Sequence, residues 1–486
     1  MPHGSYDLLV IGGGINGAGI ARDAAGRGLS VLLAESGDLA SATSSASSKL
    51  IHGGLRYLEQ YEFRLVAEAL AEREILLRVA AHLASPLRFV MPHVPQLRPR
   101  WMIRLGLFLY DHLARRSLLP ASRRVRLDAP PYRHNLRPEL RHGFAYSDCR
   151  VDDARLVVAN VLDAAARGAQ VRVRTACLRA RRSAGEWHAT LSSGEEIGAR
   201  AIANAAGPWA KQVLNGCLGQ PSADELRLVQ GSHVVVPALY EGEHAFILQN
   251  DDRRVIFMIP FEDRFTLLGT TEVPIDADPE KARATDDEVR YLCRAAGRYL
   301  KDPVSPSQVL WRYAGVRPLY DDGSRDPSAV TRDYTLRLDD EQGRAPVLSV
   351  FGGKITTYRR LAEHAVDRLA RYFPQARAAW TAHAPLPGSD FSDRAQAYAA
   401  LRTRYPKLAP EVLRGVFRRH GTLAASVLGD GDVGEHYGAG LTEREVRHFV
   451  EREWARTSED VLWRRSKAGL HMDAAQQARM GAALGT

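Results

Sequence analysis

The chain opens on a short apolar run, Tyr6-Asp-Leu-Leu-Val-Ile11, that breaks into Gly12-Gly-Gly-Ile-Asn-Gly17. A run that short, bounded by glycine, predicts a buried strand. A helical pattern follows to about Arg27, and Gly28 stands where a glycine commonly closes a helix. Ser30 to Ala34 is a second apolar strand, ended by Glu35. Strand, G-x-G-x-x-G, helix, strand and acid thus follow one another within about 30 residues, the spacing of a dinucleotide site. Gly12 permits the tight turn, Gly14 lets the backbone approach a pyrophosphate, and Gly17 lets the helix lie close on the strand. The helix N-terminus offers unpaired N–H groups to the phosphates. Glu35 can accept from both ribose hydroxyls, and its charge disfavours a 2′-phosphate.

After Glu35 the regular alternation stops. A small polar loop, Ala42-Thr-Ser-Ser-Ala-Ser-Ser48, is suited to lying along a cofactor. Strand patterns return at Gln170–Arg174 and at Ala201–Gly207, the latter ending in a glycine turn. Gly429 to Gly434 has glycines but no apolar strand before it, so no second dinucleotide unit is evident. One bound dinucleotide favours FAD over NAD, with the substrate itself as reductant. Further on, Gly231–Pro237 and Phe265–Gly269 read as strands, and Phe351-Gly-Gly-Lys354 followed by Ile355 to Tyr372 reads as strand, glycine turn and helix.

Composition adds bounds. The 486 residues are 45% hydrophobic and 25% charged, enough for a buried core and against wholesale disorder. No apolar run approaches the ~18 residues that cross a bilayer, and no signal-like segment opens the chain, which makes the cytoplasmic side the expectation. The four cysteines, Cys149, Cys177, Cys217 and Cys293, have no metal-site spacing, so no metal is expected. The formal charge is +9, and the excess concentrates between Arg98 and Arg126, where eight arginines meet one acid, Asp111. Projected as a helix, Arg100 to Arg115 puts Arg100, Arg104, Asp111 and Arg115 in one stripe and Met102, Leu105, Leu109 and Leu113 opposite. Trp101, Phe108 and Tyr110 would be interfacial aromatics. Such a segment suits an anionic partner, either a lipid surface or a nucleic acid.

Several stretches carry a family likeness. They are Gly12 to Gly19; Ala42 to Tyr57, which runs through Lys49-Leu-Ile-His-Gly-Gly-Leu-Arg56; Tyr146-Ser-Asp-Cys149; Val151-Asp-Asp-Ala-Arg155; Gln230 to Pro237; Ala314-Gly-Val-Arg-Pro318; Thr331-Arg-Asp-Tyr334; and Phe351 to Tyr358. In this ordered series the chain resembles the FAD-dependent glycerol-3-phosphate dehydrogenases, nearest their aerobic, respiratory branch. The resemblance implies oxidation of sn-glycerol 3-phosphate to dihydroxyacetone phosphate, non-covalent FAD, delivery of electrons to membrane ubiquinone, and peripheral attachment to the inner face of the cytoplasmic membrane. It implies an α/β fold: an FAD-binding Rossmann-like domain of the D-amino-acid-oxidase/glutathione-reductase type, a β-rich substrate domain, and a C-terminal α-helical domain. The expected segments are 1–90, 145–225 and 315–385 for FAD, 91–144 and 226–314 for substrate and membrane, and 388–486 for the helical domain, after a linker at Pro385-Leu-Pro-Gly-Ser389. The oligomeric state stays open, a homodimer included.

The reaction makes three demands: hold a phosphate dianion, accept a proton, and stabilise the reduced flavin anion. Guanidinium forks suit phosphate, and Arg56, Arg317 and Arg332 stand inside the matched motifs, with Tyr57 and Thr270 as hydroxyl partners. His233 is expected as the proton acceptor or as a hydrogen-bond partner of the substrate. Lys354, at the Gly352-Gly353 turn, is expected at the flavin or the substrate. His233, Arg317 and Lys354 form the expected catalytic set. The cofactor is expected against Gly12, Gly14, Asn16, Gly17, Glu35, Thr43, Ser44, Ser48, Leu50, Ala206, Gly207, Gly352, Gly353, Lys354 and Thr356. Three rivals remain at this point: an oxygen-reducing glycerophosphate oxidase, an amine or amino-acid oxidase of the same fold, and a flavin-containing RNA-binding protein. The last lacks a recognisable RNA module, and no nucleic acid is expected.

Overall fold

The computed structural model describes residues 4–222, 224–252, 254–321 and 333–484. Apolar runs too continuous for a one-sided sheet become parallel strands covered on both faces. Ser5–Ile11 pairs in parallel with Val31–Ala34 on one side and Glu196–Asn204 on the other. Gln170–Arg172 and Arg344–Phe351 extend this parallel centre outward. An antiparallel strand, Thr335–Glu341, and the hairpin of Cys177–Ser183 with Glu186–Leu191 complete an eight-stranded sheet. Alternate residues of the first strand feed separate cores. Leu8 and Val10 join the helices Ile15–Gly26, Asp153–Ala166 and Tyr358–Leu369. Leu9 and Ile11 join Trp187, Ala189 and Leu191 on the opposite face.

The second sheet has ten strands, antiparallel except where Ala245–Gln249 meets Ala84–Pro92. Its hub is Leu226–Pro237, which pairs with Phe265–Gly269, Val273–Ile275 and Trp311–Tyr320. The expected segment limits shift accordingly. His142–Val151 and Trp311–Tyr320 belong wholly to this sheet, and Leu50–Ile51 joins it by pairing with Cys149 and Arg150. Local pattern could not settle this, because a strand's partners are set by residues far away in sequence.

The helix Arg100–His112 forms where expected, but it uses two apolar faces. Ile103, Leu107 and Tyr110 are buried against the second sheet. Tyr110 is therefore no interfacial aromatic: its hydroxyl donates to Asp148 and accepts from Gly53 N. The exposed apolar face carries Trp101, Met102, Leu105 and Phe108, at 66%, 42%, 52% and 57% exposure. Leu109 and Leu113, expected with them, are half-buried.

The 385–389 segment is no free linker. Leu386 N donates to Val79 O, Ser389 Oγ bonds His82 Nδ1 at 2.7 Å, and a Cβ on Gly388 would fall 2.1 Å from His420 O. Beyond it, helices Arg394–Arg404, Pro410–His420, Glu443–Arg452 and Ala474–Ala483 form around two cores of their own, one including Leu401, Val416 and Leu428 and the other Tyr437, Phe449 and Met480. Among the described residues no helix is long and apolar enough to cross a membrane.

Candidate active site

Four turns converge at the carboxyl ends of parallel strands, the place where open α/β sheets bind ligands. They follow Ile11, Ala34, Asn204 and Phe351. Gly12 has φ +111°, and a Cβ there would lie 2.6 Å from Ala205 O. A Cβ on Gly17 would lie 1.9 Å from Gly12 O, so only glycine lets the first helix start this close to the strand. Gly14 is that helix's N-cap. Glu35 is held by Gly13 N on Oε2 and Gly37 N on Oε1, each at 2.6 Å, which leaves lone pairs for hydroxyl donors. Gly207, Gly352 and Gly353 have φ of +56°, +79° and +98°. The helix after the last pair begins at Tyr358, later than the sequence suggested, because residues 355–357 form a turn.

Asn16 ties two of these turns together: its Nδ2 donates to Gly352 O at 3.2 Å, while its buried Oδ1 has no partner among the described residues. An orphaned acceptor beside a glycine cradle fits a dinucleotide. The polar loop serves other ends. Ser44 Oγ accepts from Ile15 N at 2.9 Å, and Thr43 Oγ1 donates to Val316 O at 2.6 Å. Ser48 Oγ stands 2.8 Å from His233 Nε2, so its hydroxyl faces the expected base. Leu50 is buried in the second sheet, Thr356 Oγ1 accepts from His52 N, and Ala206 caps the Gly207–Trp209 turn.

Facing the turns, the second sheet presents charge. Arg317 donates from Nη2 to Thr270 Oγ1 at 3.0 Å. Glu272 lies between two guanidinium groups, 3.8 Å from Arg56 and 3.7 Å from Arg317. Gly231 makes this possible, since a Cβ there would stand 2.6 Å from Arg317 Nη2 and 2.7 Å from Thr270 Oγ1. Glu288 fixes the adjoining turn by accepting from Ser232 and Thr271 hydroxyls at 2.8 and 2.6 Å. Lys354 Nζ lies 3.8 Å over the Tyr57 ring, itself admitted by Gly54 at φ +74°. Arg332 lies outside the described residues.

His233 is buried, stacked on Tyr313 at 4.9 Å and 14°, with Nδ1 lacking a partner among the described residues. Burial first, then the charges of Arg317 and Lys49, hold its pKa well below the usual 6.5. It is therefore neutral near pH 7. The site thus joins Arg56, Tyr57, His233, Thr270 and Arg317 to Glu272 and Tyr313, which sequence reasoning did not single out. Glu272 carried a faint signal, two residues beyond Thr270. Tyr313 carried none, because its role depends on pairing across to His233. A separate trio, His420, His448 and Glu453, brings ligand atoms within 4.8 Å, but Arg155 donates to Glu453 and faces His420 Nδ1 at 3.4 Å, which disfavours a cation there.

Residues 7–359 match the family model described as FAD dependent oxidoreductase, and residues 379–483 match the C-terminal domain of alpha-glycerophosphate oxidase. The chain is 54% identical to a glycerol-3-phosphate dehydrogenase of Pseudomonas aeruginosa, over 98% of this chain and 94% of that one. It is 50% identical to the aerobic glycerol-3-phosphate dehydrogenase of Escherichia coli, over 98% and 96%. A solved structure of the glycerol-3-phosphate dehydrogenase from Bacillus halodurans, complexed with FAD, is similar at TM-score 0.73 and 26% identity, over 100% of this chain and 95% of that one.

Proposed function

The chain belongs to the FAD-dependent glycerol-3-phosphate dehydrogenases, and on that premise we propose that it oxidises sn-glycerol 3-phosphate to dihydroxyacetone phosphate and passes the electrons to membrane ubiquinone. One observation carries the substrate assignment: two guanidinium groups flank one acid, and one of them also donates to a threonine hydroxyl, beside a strand that holds a buried neutral histidine. Arg56, Arg317 and Lys354 bring cationic groups to this part of the site, and guanidinium forks grip phosphate bidentately.

FAD, when bound, supplies the acceptor for the hydride from C2 of the substrate. Gly12, Gly14, Gly17, Asn16 and Glu35 would hold its diphosphate and ribose, and the Gly352-Gly353 turn with Lys354 would meet its ring. Arg56, Arg317 and Thr270 orient the substrate through its phosphate. His233 accepts the proton of the C2 hydroxyl. The phosphate's negative charge near Arg317 offsets the field that depresses His233, which makes the histidine a stronger base once substrate is in place.

The exposed face of Arg100–His112 supports docking on the cytoplasmic membrane surface. Trp101, Met102, Leu105 and Phe108 would enter the headgroup boundary, flanked by exposed Arg100, Arg104, Arg115, Arg123 and Arg124. Three neighbouring arginines are paired already: Arg98 with Glu59, Arg116 with Asp111 and Arg126 with Asp128.

The decisive experiment is anaerobic addition of glycerol 3-phosphate, glycerol or an amino acid to the yellow protein. Bleaching by the first alone is expected; a flavin that stays oxidised with glycerol 3-phosphate would overturn the assignment. For the acceptor, quinone reduction should outpace peroxide formation in air; the reverse outcome would make the protein an oxidase.

A further inference from the structure

The C-terminal domain sends one short run, Trp463-Arg464-Arg465-Ser466-Lys467, toward the cofactor loops. Its first reach is to Asp38, three positions after Glu35. Arg464 Nε donates to Asp38 Oδ2 at 2.7 Å, and Arg465 donates to both carboxylate oxygens at 2.8 Å each. Asp38 is 3% exposed and Arg465 0%, so both charges are out of water.

A second reach is through Lys467. Its Nζ donates to Asp152 Oδ1 at 2.6 Å and lies 4.0 Å from Asp153 Oδ1. Asp153 Oδ2 in turn accepts from Ser47 Oγ and Lys49 Nζ, each at 2.8 Å. Between Ser47 and Lys49 is Ser48, whose hydroxyl meets His233 Nε2.

The third reach is aromatic. Trp463 stacks on Trp311 at 4.8 Å, Trp311 meets Tyr313 at 4.7 Å, and Tyr313 stacks on His233 at 4.9 Å. The Tyr313 hydroxyl donates to Ser47 O at 2.8 Å, which closes the second and third reaches on each other.

Docking by itself would require only apolar contact, and burying ion pairs is costly. Here the buried charges end on the loop behind the ribose acid and on the loop that carries the base's partner. We propose that this run is a positioning device: Arg464 and Arg465 set the loop behind Glu35 for cofactor binding, while Lys467 and Trp463 set Ser48 and the His233 ring for proton transfer. The second half rests on the reaction proposed above; the first half does not.

The test uses the full chain. Flavin-fluorescence titration of the apoprotein, without substrate, should show Arg464→Ala binding FAD about 10-fold more weakly, as expected for losing a charge-assisted bond. Arg464→Lys should recover part of that loss, and serves if the alanine variant does not fold. In the holoprotein, Lys467→Met and Trp463→Ala should lower kcat about 10- to 100-fold for a slightly misplaced base, with KM for glycerol 3-phosphate nearly unchanged. Lys467→Arg and Trp463→Phe should restore most of it. Variants that melt earlier yet keep wild-type FAD affinity and kcat would overturn the proposal. Failure of the wild-type flavin to bleach with glycerol 3-phosphate would instead sink the reaction and leave the FAD titration standing.

Discussion

The two sheets bring different chemistry to the candidate site. The first offers mainly backbone: glycine turns at the ends of parallel strands, where recognition is a matter of how closely main chain can approach. The second offers side chains that rise from an antiparallel sheet, with His233, Thr270 and Arg317 contributed by three neighbouring strands or their ends. A backbone site fails by volume. A side-chain site tolerates the change in shape and loses a specific piece of chemistry.

Substitutions should separate the two failures. The largest effect is expected from Gly17→Val, since the first new carbon would stand 1.9 Å from Gly12 O; the purified protein should be colourless and inactive at any substrate concentration. Next, His233→Ala should keep the yellow colour and lower kcat about 10²- to 10⁴-fold, the usual span for losing a general base. Arg317→Ala should lower kcat/KM about 100-fold, mostly through KM, as befits a lost charged hydrogen-bond anchor, again with FAD retained. Near-normal kinetics in that variant would mean that phosphate is held elsewhere.

Acid should act with opposite sign on two sets of buried groups. In the second sheet, burial lowers His233 well below 6.5 and His244 to about 4. The unfolded chain takes up these protons first, so their region loses stability as pH falls from 6.5 toward 4. In the first layer, burial raises Asp23 from 3.8 to about 6 despite its Arg27 partner. The folded state takes that proton first, so the packing around Asp23 gains stability as pH falls from about 6 toward 3.8. Hydrogen exchange at pH 7 and pH 5 should show the strands around His233 and His244 loosening while the helix that carries Asp23 does not; loosening of both together would refute the contrast. Within that framework, kcat should stay level from pH 8 down to 6.5 and fall only below, because the base remains neutral until then.

Glu262 pairs across to Arg418 of the C-terminal domain, Glu445 pairs with Arg419 inside that domain, and together they give the smallest effect. Burial would raise both, but Arg418 and Arg419, with other partners, hold them at about 2. Their contribution is present above 4.5 and disappears as pH falls toward 2, so the domain should stay docked through the histidine window. Proteolytic release of the 388–484 segment at pH 5 would contradict this.

What could be read in advance follows the range of the interactions. The opening strand-turn-helix, the acid at Glu35, the strand around His233 and the helix at Arg100 rest on neighbours in the chain, so periodicity and glycine placement expose them. Ser48 was legible as a loop residue near the cofactor, but its pairing with His233 spans 185 positions. Asp38 carries no local mark of its role, since its arginines come more than 400 residues later. Tyr110 was misjudged because a helical projection shows which residues share a face and not which face meets the protein.

By itself the sequence determined the cofactor half, because a close approach of backbone to phosphate demands glycine at fixed spacing and leaves a local trace. The tertiary structure alone decided how the cationic cup, the orientation of His233 and the reach of the C-terminal domain come together. Those depend on charges and rings brought together by strand pairing and domain docking, and contacts of that kind leave no periodic mark along the chain.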